Sequence, residues 1–383
     1  MTTERSVSVY FNGVRSTSPV VRYETHAAFG KHSVNVLDLR TGSARIAFPE
    51  WTPVVVDLRV GATMDRWYGY VHHYGEVDDT RASDVSNQNT RYTLIGTSLP
   101  LNEQRTRSWK NMTRSGVVRE VARAHKFRTM VQRDGEILPF IAQAGNSDMA
   151  LLQQMADESG YRLWVDGSTL RFIDPDTLLT GVRTLDIRSF NKGGGPGTPD
   201  GIISWSTKAG SMVPRATGSA GAQSVYGLDR RTGTVVGAAV DQTPSGLPSL
   251  TKIDTNSVVT GTGQAVSRAS ANSKKARAWV TAKAIVVCSP GVKPGDVIEV
   301  AGDRIKPYER GLWLVTGVSH RVLNDGSAAG FEYLTTLDLE RDGIYSPSFN
   351  AAFRTINTRD LVAARIRDGY RWEAEVMEDV RVG

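Results

Sequence analysis

Two distant stretches of this chain repeat one order of strand-like blocks, and no other feature constrains the fold as tightly. TPVVVDLRV (52–60) leads through Asp65 to RWYGYVHH (66–73), a polar loop and TRYTLIG (90–96). PGDVIEVAG (294–302) leads to GLWLVTGVSHRV (311–322), an Asn324-Asp325-Gly326 turn and FEYLTTLDL (331–339). Each set runs strand, Trp- and Gly-containing strand, His, loop, and a strand holding Tyr with Leu and Thr. Val56 and Tyr92 stand as far apart as Val297 and Tyr333. Few residues are identical, so the shared order carries the argument. It predicts two copies of one barrel-like or sandwich-like β module within 383 residues.

Between the copies the hydrophobic period changes from two to three and four. SGVVREVARAH (115–125) buries Val117, Val118 and Val121 on one helical face, and NSDMALLQQMADESG (146–160) does so with Met149, Leu152, Met155 and Ala156. Asn146 or Ser147 caps the second helix and Gly160 ends it, the left-handed position that glycine fills most readily. Tyr161 to Phe172 then alternates around Asp166-Gly167 as a hairpin. The reading is therefore mainly β with an α/β insert. Residues 1–100 form a first β module, completed by about 177–200, and 101–176 form the insert. Residues 201–340 form a second β module with one helix near 262–279, and 341–383 a C-terminal extension. NKGGGPGTPDG (191–201) reads as a connector, and the Gly-, Ser- and Pro-rich stretch 211–256 as long loops.

The net charge of +6 is local. Residues 101–133 hold nine Lys or Arg, among them Arg105, Arg107, Lys110, Arg114, Arg119 and Arg123, against Glu103 and Glu120. Those six are the candidate contact patch for a partner. The alternative is the solvated face of the 115–125 helix. The single Cys288 allows neither an internal disulfide nor a Cys-based metal cluster, and its place after Ile285, Val286 and Val287 reads as strand packing. No apolar run is long enough for a membrane span, and the N-terminus lacks a signal pattern, so maturation in a cytoplasm is expected.

The sequence offers no chemistry. A phosphate-binding glycine loop, HExxH and a Gly-x-Ser-x-Gly elbow are all missing, and the six histidines do not fall at metal-ligand spacings. His72 and His73 are expected on opposite faces of a strand, and His320 on a backbone hydrogen bond. Trp51, Trp67, Trp109 and Trp164 are candidate glycan platforms, with core or interface packing favoured. The expectation is no catalytic residue, no metal and no cofactor.

RSWKNMTRSGVVREVARAHKF (107–127) and AQAGNSDMALLQQMADESGYRLWVDGSTLRF (142–172) resemble the insert domain of phage baseplate hub proteins of the late-control protein D type. PGVKPGDVIEVAG, GLWLVTGVSHRV and FEYLTTLDLER resemble that family's later strands, so the likeness covers roughly residues 101–340. The resemblance implies two tail-tube-like modules in one chain and a homotrimer whose six modules form a pseudo-hexameric ring. It implies a place in the virion, at the tail tip, after assembly in the host cytoplasm. The partners it implies are a distal tail protein ring or the tail tube, a tape measure protein, and tail-tip spike or fibre proteins. DNA would pass through the lumen without specific binding. The rival readings are a tail-associated peptidoglycan hydrolase, a host-receptor or carbohydrate-binding tail protein, and a nucleic-acid-binding protein using residues 101–133.

Overall fold

Asn12 and Gly13 both take positive φ, 49° and 80°, as a two-residue hairpin turn requires. They fold Arg5–Phe11 (β1) back on Val14–Arg15 (β2). The computed structural model describes residues 5–41, 47–77, 89–181, 184–189, 201–209, 222–229, 232–241, 252–255, 259, 261–278, 280–302, 305, 309–324 and 331–341. The connector over 191–200, the Asp78-Asp79 loop, the Asp325-Gly326 turn and the extension from 342 lie outside the described residues.

After β2 come Val20–Ala28 (β3), Val34–Arg40 (β4), Pro53–Val60 (β5), Thr63–Val77 (β6) and Asn89–Gly96 (β7). They pair in the order β3-β4-β7-β6-β5-β1, every neighbour antiparallel. Alternate residues face inward, so Val54, Val56 and Leu58 of β5 meet Leu37 and Leu39 of β4 and Tyr92 and Leu94 of β7.

The α/β segment follows: Gln104–Thr113 (β8), Arg114–Ala124 (α1), Arg128–Val131 (β9), Ile137–Ser147 (β10), Asp148–Ser159 (α2), Arg162–Asp166 (β11), Thr169–Ile173 (β12) and Pro175–Gly181 (α3). Thr113 caps α1 through Gly116 N–H, and Ser147 caps α2 through Ala150 N–H at 3.2 Å. Gly160 ends α2 at φ 71°, as its sequence position requires. Val117, Val118, Val121, Met149, Leu152, Met155 and Ala156 share one core with Leu163, Leu170 and Phe172. The hairpin β11–β12 is covered on its other side too. Trp164 and Ile173 pack on Val297 and Leu314, and the Trp164 ring lies 5.0 Å from Phe29.

The rest comprises Thr184–Ser189 (β13), Gly201–Ala209 (β14), Ala222–Asp229 (β15), Thr234–Asp241 (β16), Lys252–Asp254 (β17), Thr262–Arg277 (α4), Val280–Val287 (β18), Val297–Ala301 (β19), Gly311–Asn324 (β20) and Phe331–Arg341 (β21). Two expectations change here. The stretch expected to complete the first module, β13, pairs in parallel with β19 and β14 instead. The Gly- and Ser-rich region read as loops contains the sheet β16-β15-β17, because Val225, Val236 and Ala238 find an apolar partner in Ala265 and Ala269 of α4. Composition suggested loop; a packing surface made strand.

The second ladder runs β13-β19-β20-β21-β18-β14 and returns through the β13–β14 pairing. Substituting β1, β3, β4, β5, β6 and β7 for β13, β14, β18, β19, β20 and β21 reproduces the order of the first ladder, both along the chain and across the sheet. The difference lies at the first strand, where β1 is antiparallel to β5 while β13 is parallel to β19.

Candidate assembly interface

The ladders are joined edge to edge. β19 covers the edge of β20 only from Gly311 to Leu314, and from Gly317 to Leu323 the same edge pairs antiparallel with β3. The thirteen strands thereby form one sheet. Glu24 forms an ion pair with Arg321 across this seam at 3.3 Å and accepts from Arg22 at 2.7 Å, while His26 Nδ1 lies 2.8 Å from Ser319 Oγ. Beneath the seam Val322, Tyr333, Val287 and Cys288, all from the second ladder, complete the core of the first. Burying apolar side chains there stabilises the join by about 1.5–3 kcal/mol each.

The outer face of β20-β3-β4-β7 carries charges held in pairs beside the apolar Val34, Val36 and Ile95. Arg91 donates two hydrogen bonds to Asp38, at 2.7 and 2.8 Å, and those bonds hold its guanidinium above its ordinary pKa. Arg22 stands opposite Asp38 in register, and Thr93 lies 3.1 Å from His73 Nε2. Asp38 is buried on β4. β4 is interior, flanked by β3 and β7, because the facing arginine removes the cost of that carboxylate.

Both ladders and the α/β segment meet around His320. Its Nε2 is 3.9 Å from Asp65 Oδ2, and its Nδ1 is 3.1 Å from both Thr335 Oγ1 and Tyr333 Oη, side-chain partners rather than the backbone group expected. Burial pushes its pKa down, against Asp65. Lys293 donates to Asp166 at 2.8 Å and lies 3.8 Å from Asp65. Burial works to lower the Lys293 pKa, but Asp166 and Asp65 outweigh it and the amine is held charged.

The six basic candidates divide. Arg107 bonds Gln143 at 2.8 Å and buried Asp148, which also binds His125 at 2.7 Å and Gln143 at 2.8 Å; Arg105 pairs with Glu103 at 2.5 Å. Burial alone would raise the Asp148 pKa; His125, Gln143 and Arg107 together lower it. Arg114 is buried between Glu136 at 2.6 Å and Glu158 at 3.0 Å, and Arg119 donates to the Val131 carbonyl at 3.0 Å. Lys110 and Arg123 face solvent. Sequence counts charges and cannot see which are paired inside.

A bulge in β6 between Val71 and His73 breaks the two-residue period, so the His72 and His73 rings lie 5.3 Å apart instead of on opposite faces. Among the four tryptophans, Trp109 and Trp164 are buried, Trp67 packs partly on the first core, and Trp51 is 56% exposed. Among the described residues no His, Cys, Asp and Glu cluster could hold a metal, and no helix is long and apolar enough to cross a membrane.

Two like ladders joined by a shared strand edge, with a charge-paired face, define a class of structural β assembly protein. A family model for the phage tail baseplate hub (GPD) matches residues 36–326, and the chain belongs to that family. Its fold is similar to a 43 kDa tail protein of prophage MuSo2 from Shewanella oneidensis, with TM-score 0.61 and 13% identity over 88% of this chain and 98% of that one. It is also similar to a tail protein from Neisseria meningitidis MC58, with TM-score 0.62 and 13% identity over 90% and 98%. A third likeness, TM-score 0.57 and 14% identity over 89% and 77%, is to an E. coli component of the type VI secretion system. No curated protein matches this chain.

Proposed function

We propose that three copies of this hub protein close into a ring of six β modules, which adapts a sixfold tail tube to a threefold tip and encloses the DNA channel. The observation that carries this reading is the β20–β3 seam. It joins two ladders of like topology by a heterologous edge contact, and repetition of such a contact generates a closed ring when its rotation allows. The charge-paired face suits a channel wall, since Arg22 and Arg91 held by carboxylates leave little counterion release to drive phosphate binding. The protein acts in the virion tail tip as a scaffold, without a catalytic step and without a cofactor. A distal tail protein ring or the tail tube stacks on one rim and spike or fibre proteins on the other, with tape measure protein in the lumen. Lys110 and Arg123, exposed on the α/β segment, are available for contact with a tip partner.

Electron microscopy of the purified protein tests this. A threefold ring of six pseudo-equivalent lobes with a central hole is expected; a species that stays monomeric at every concentration, or a ring without the sixfold repeat, overturns it.

A further inference from the structure

The internal seam is a template for a second one. In each ladder the long strand carries a bulge against its closing strand, after Val71 in β6 and after Val315 in β20. Placing Val71 on Val315 sets Leu94 on Leu339, Tyr92 on Leu337 and, through the registers, Leu37 on Ala284 and Tyr23 on Trp205. Val71, Leu94, Tyr92 and Leu37 are buried, as are their four counterparts Val315, Leu339, Leu337 and Ala284, so the registers agree in which side chains face inward. On this alignment the counterpart of the β20 edge taken by β3 is the end of β6 from Tyr74 to Val77. The counterpart of β3 is the outer edge of β14 from Ser206 to Ala209. Among the described residues no strand pairs with either segment on that side.

We infer that these two edges pair between neighbouring chains: Tyr74–Val77 of one copy lies antiparallel to Ser206–Ala209 of the next, with Tyr74 opposite Ala209 and Gly75 opposite Lys208. The register is that of Val318 opposite Ala27 and Ser319 opposite His26 inside one chain. The occupant is a second copy of this chain, because the shape that fits each edge is the one the molecule already carries on its other ladder. A separate observation agrees. Tyr74 is 46% exposed, whereas Val318, its counterpart beneath the completed seam, is 3% exposed. The new seam would bury the tyrosine and remove two open strand edges, a recognised aggregation hazard.

The inference rests on the ring proposed above, and cysteine cross-linking of the full-length protein separates the two. Neighbouring pairs in an antiparallel ladder alternate between wide and close spacing, so one of two adjacent pairs suits a disulfide. Tyr74→Cys with Ala209→Cys and Gly75→Cys with Lys208→Cys are therefore both made, with Gly75→Cys and Ser206→Cys as the out-of-register control. A Cβ at Gly75 meets no atom within 4 Å, and the native Cys288 is buried. Covalent trimers from at least one matched pair, and none from the control, are expected on oxidation. A threefold ring that links at neither matched pair overturns the strand pairing and leaves the ring standing; absence of any ring overturns both. As a second readout, Tyr74→Glu places a charge under the seam and is expected to raise the half-dissociation concentration of the trimer at least about tenfold. Unchanged dissociation of a normally folded Tyr74→Glu protein also overturns the pairing.

Discussion

Arg321 and Glu24 face each other at 3.3 Å across the strand pair that, among the described residues, joins the two ladders. The pair is on the outer face, so its own contribution is small, while the apolar residues beneath the same strands hold the join. Arg321→Ala is expected to cost about 0–1 kcal/mol, whereas Val322→Ala, at a fully buried position, costs more because it leaves a cavity in the first core. Urea unfolding of both variants checks the order.

Trp313 is the largest side chain wholly enclosed in the second core. Its indole N–H donates to the Glu309 carbonyl at 2.9 Å, and the Arg341 guanidinium lies 4.2 Å from its ring centroid. Burial pushes the Arg341 pKa down to about 9, against Glu309. Trp313→Ala is expected to lose about 3–5 kcal/mol, read as a fall in thermal midpoint with aggregation of the second module.

Asp148 is a buried carboxylate bound by Arg107, His125 and Gln143. Its folded pKa lies below its unfolded value, so its contribution is full above the unfolded pKa and is lost as pH falls through the folded one. Asp148→Ala leaves Arg107 and His125 facing each other without an anion and is expected to cost about 3–5 kcal/mol. Loss of amide protection confined to β8, β10 and α2 is the signature to seek by hydrogen exchange.

His320 also loses stability as pH falls, through burial instead of ion pairing. Burial sets its folded pKa below the unfolded value, so stability is full above the unfolded pKa and declines as pH falls through it toward the folded pKa. Asp65, Lys293 and Tyr333 are the titratable groups around it. Unfolding measured from pH 8 down to 5 should therefore show a loss of stability that His320→Gln abolishes; an identical slope in the variant would refute this assignment.

Asp38→Asn frees Arg91 from its carboxylate while leaving the side-chain volume unchanged. If the paired face is a channel wall, the variant should acquire duplex DNA binding that weakens steeply with salt, with the parent protein showing little at physiological ionic strength. Fluorescence anisotropy across a salt series decides it.

Much of the scaffold was legible because short-range rules wrote it. The Ser147 cap, the Gly160 stop and the apolar stripes of α1 and α2 follow from backbone sterics and a period of 3.6. The order of the repeated blocks was also visible, although matching Tyr92 to Tyr333 slid the true register, which sets Tyr92 on Leu337. Residue likeness aligned the tyrosines; the bulges at His72 and Thr316 and the inward-facing positions set the actual alignment.

What the sequence determined by itself, then, is the order of the two repeated strand blocks and the apolar faces of α1 and α2, since those depend on neighbours a few residues away. Only the tertiary structure decided that Thr184–Ser189 serves the second ladder, that Arg107 and Arg114 are paired with carboxylates, and that Asp38 sits inside a sheet. Each depends on a partner tens or hundreds of residues away. Strand pairing and charge desolvation are governed by distance in space, and a count along the chain holds no measure of that distance.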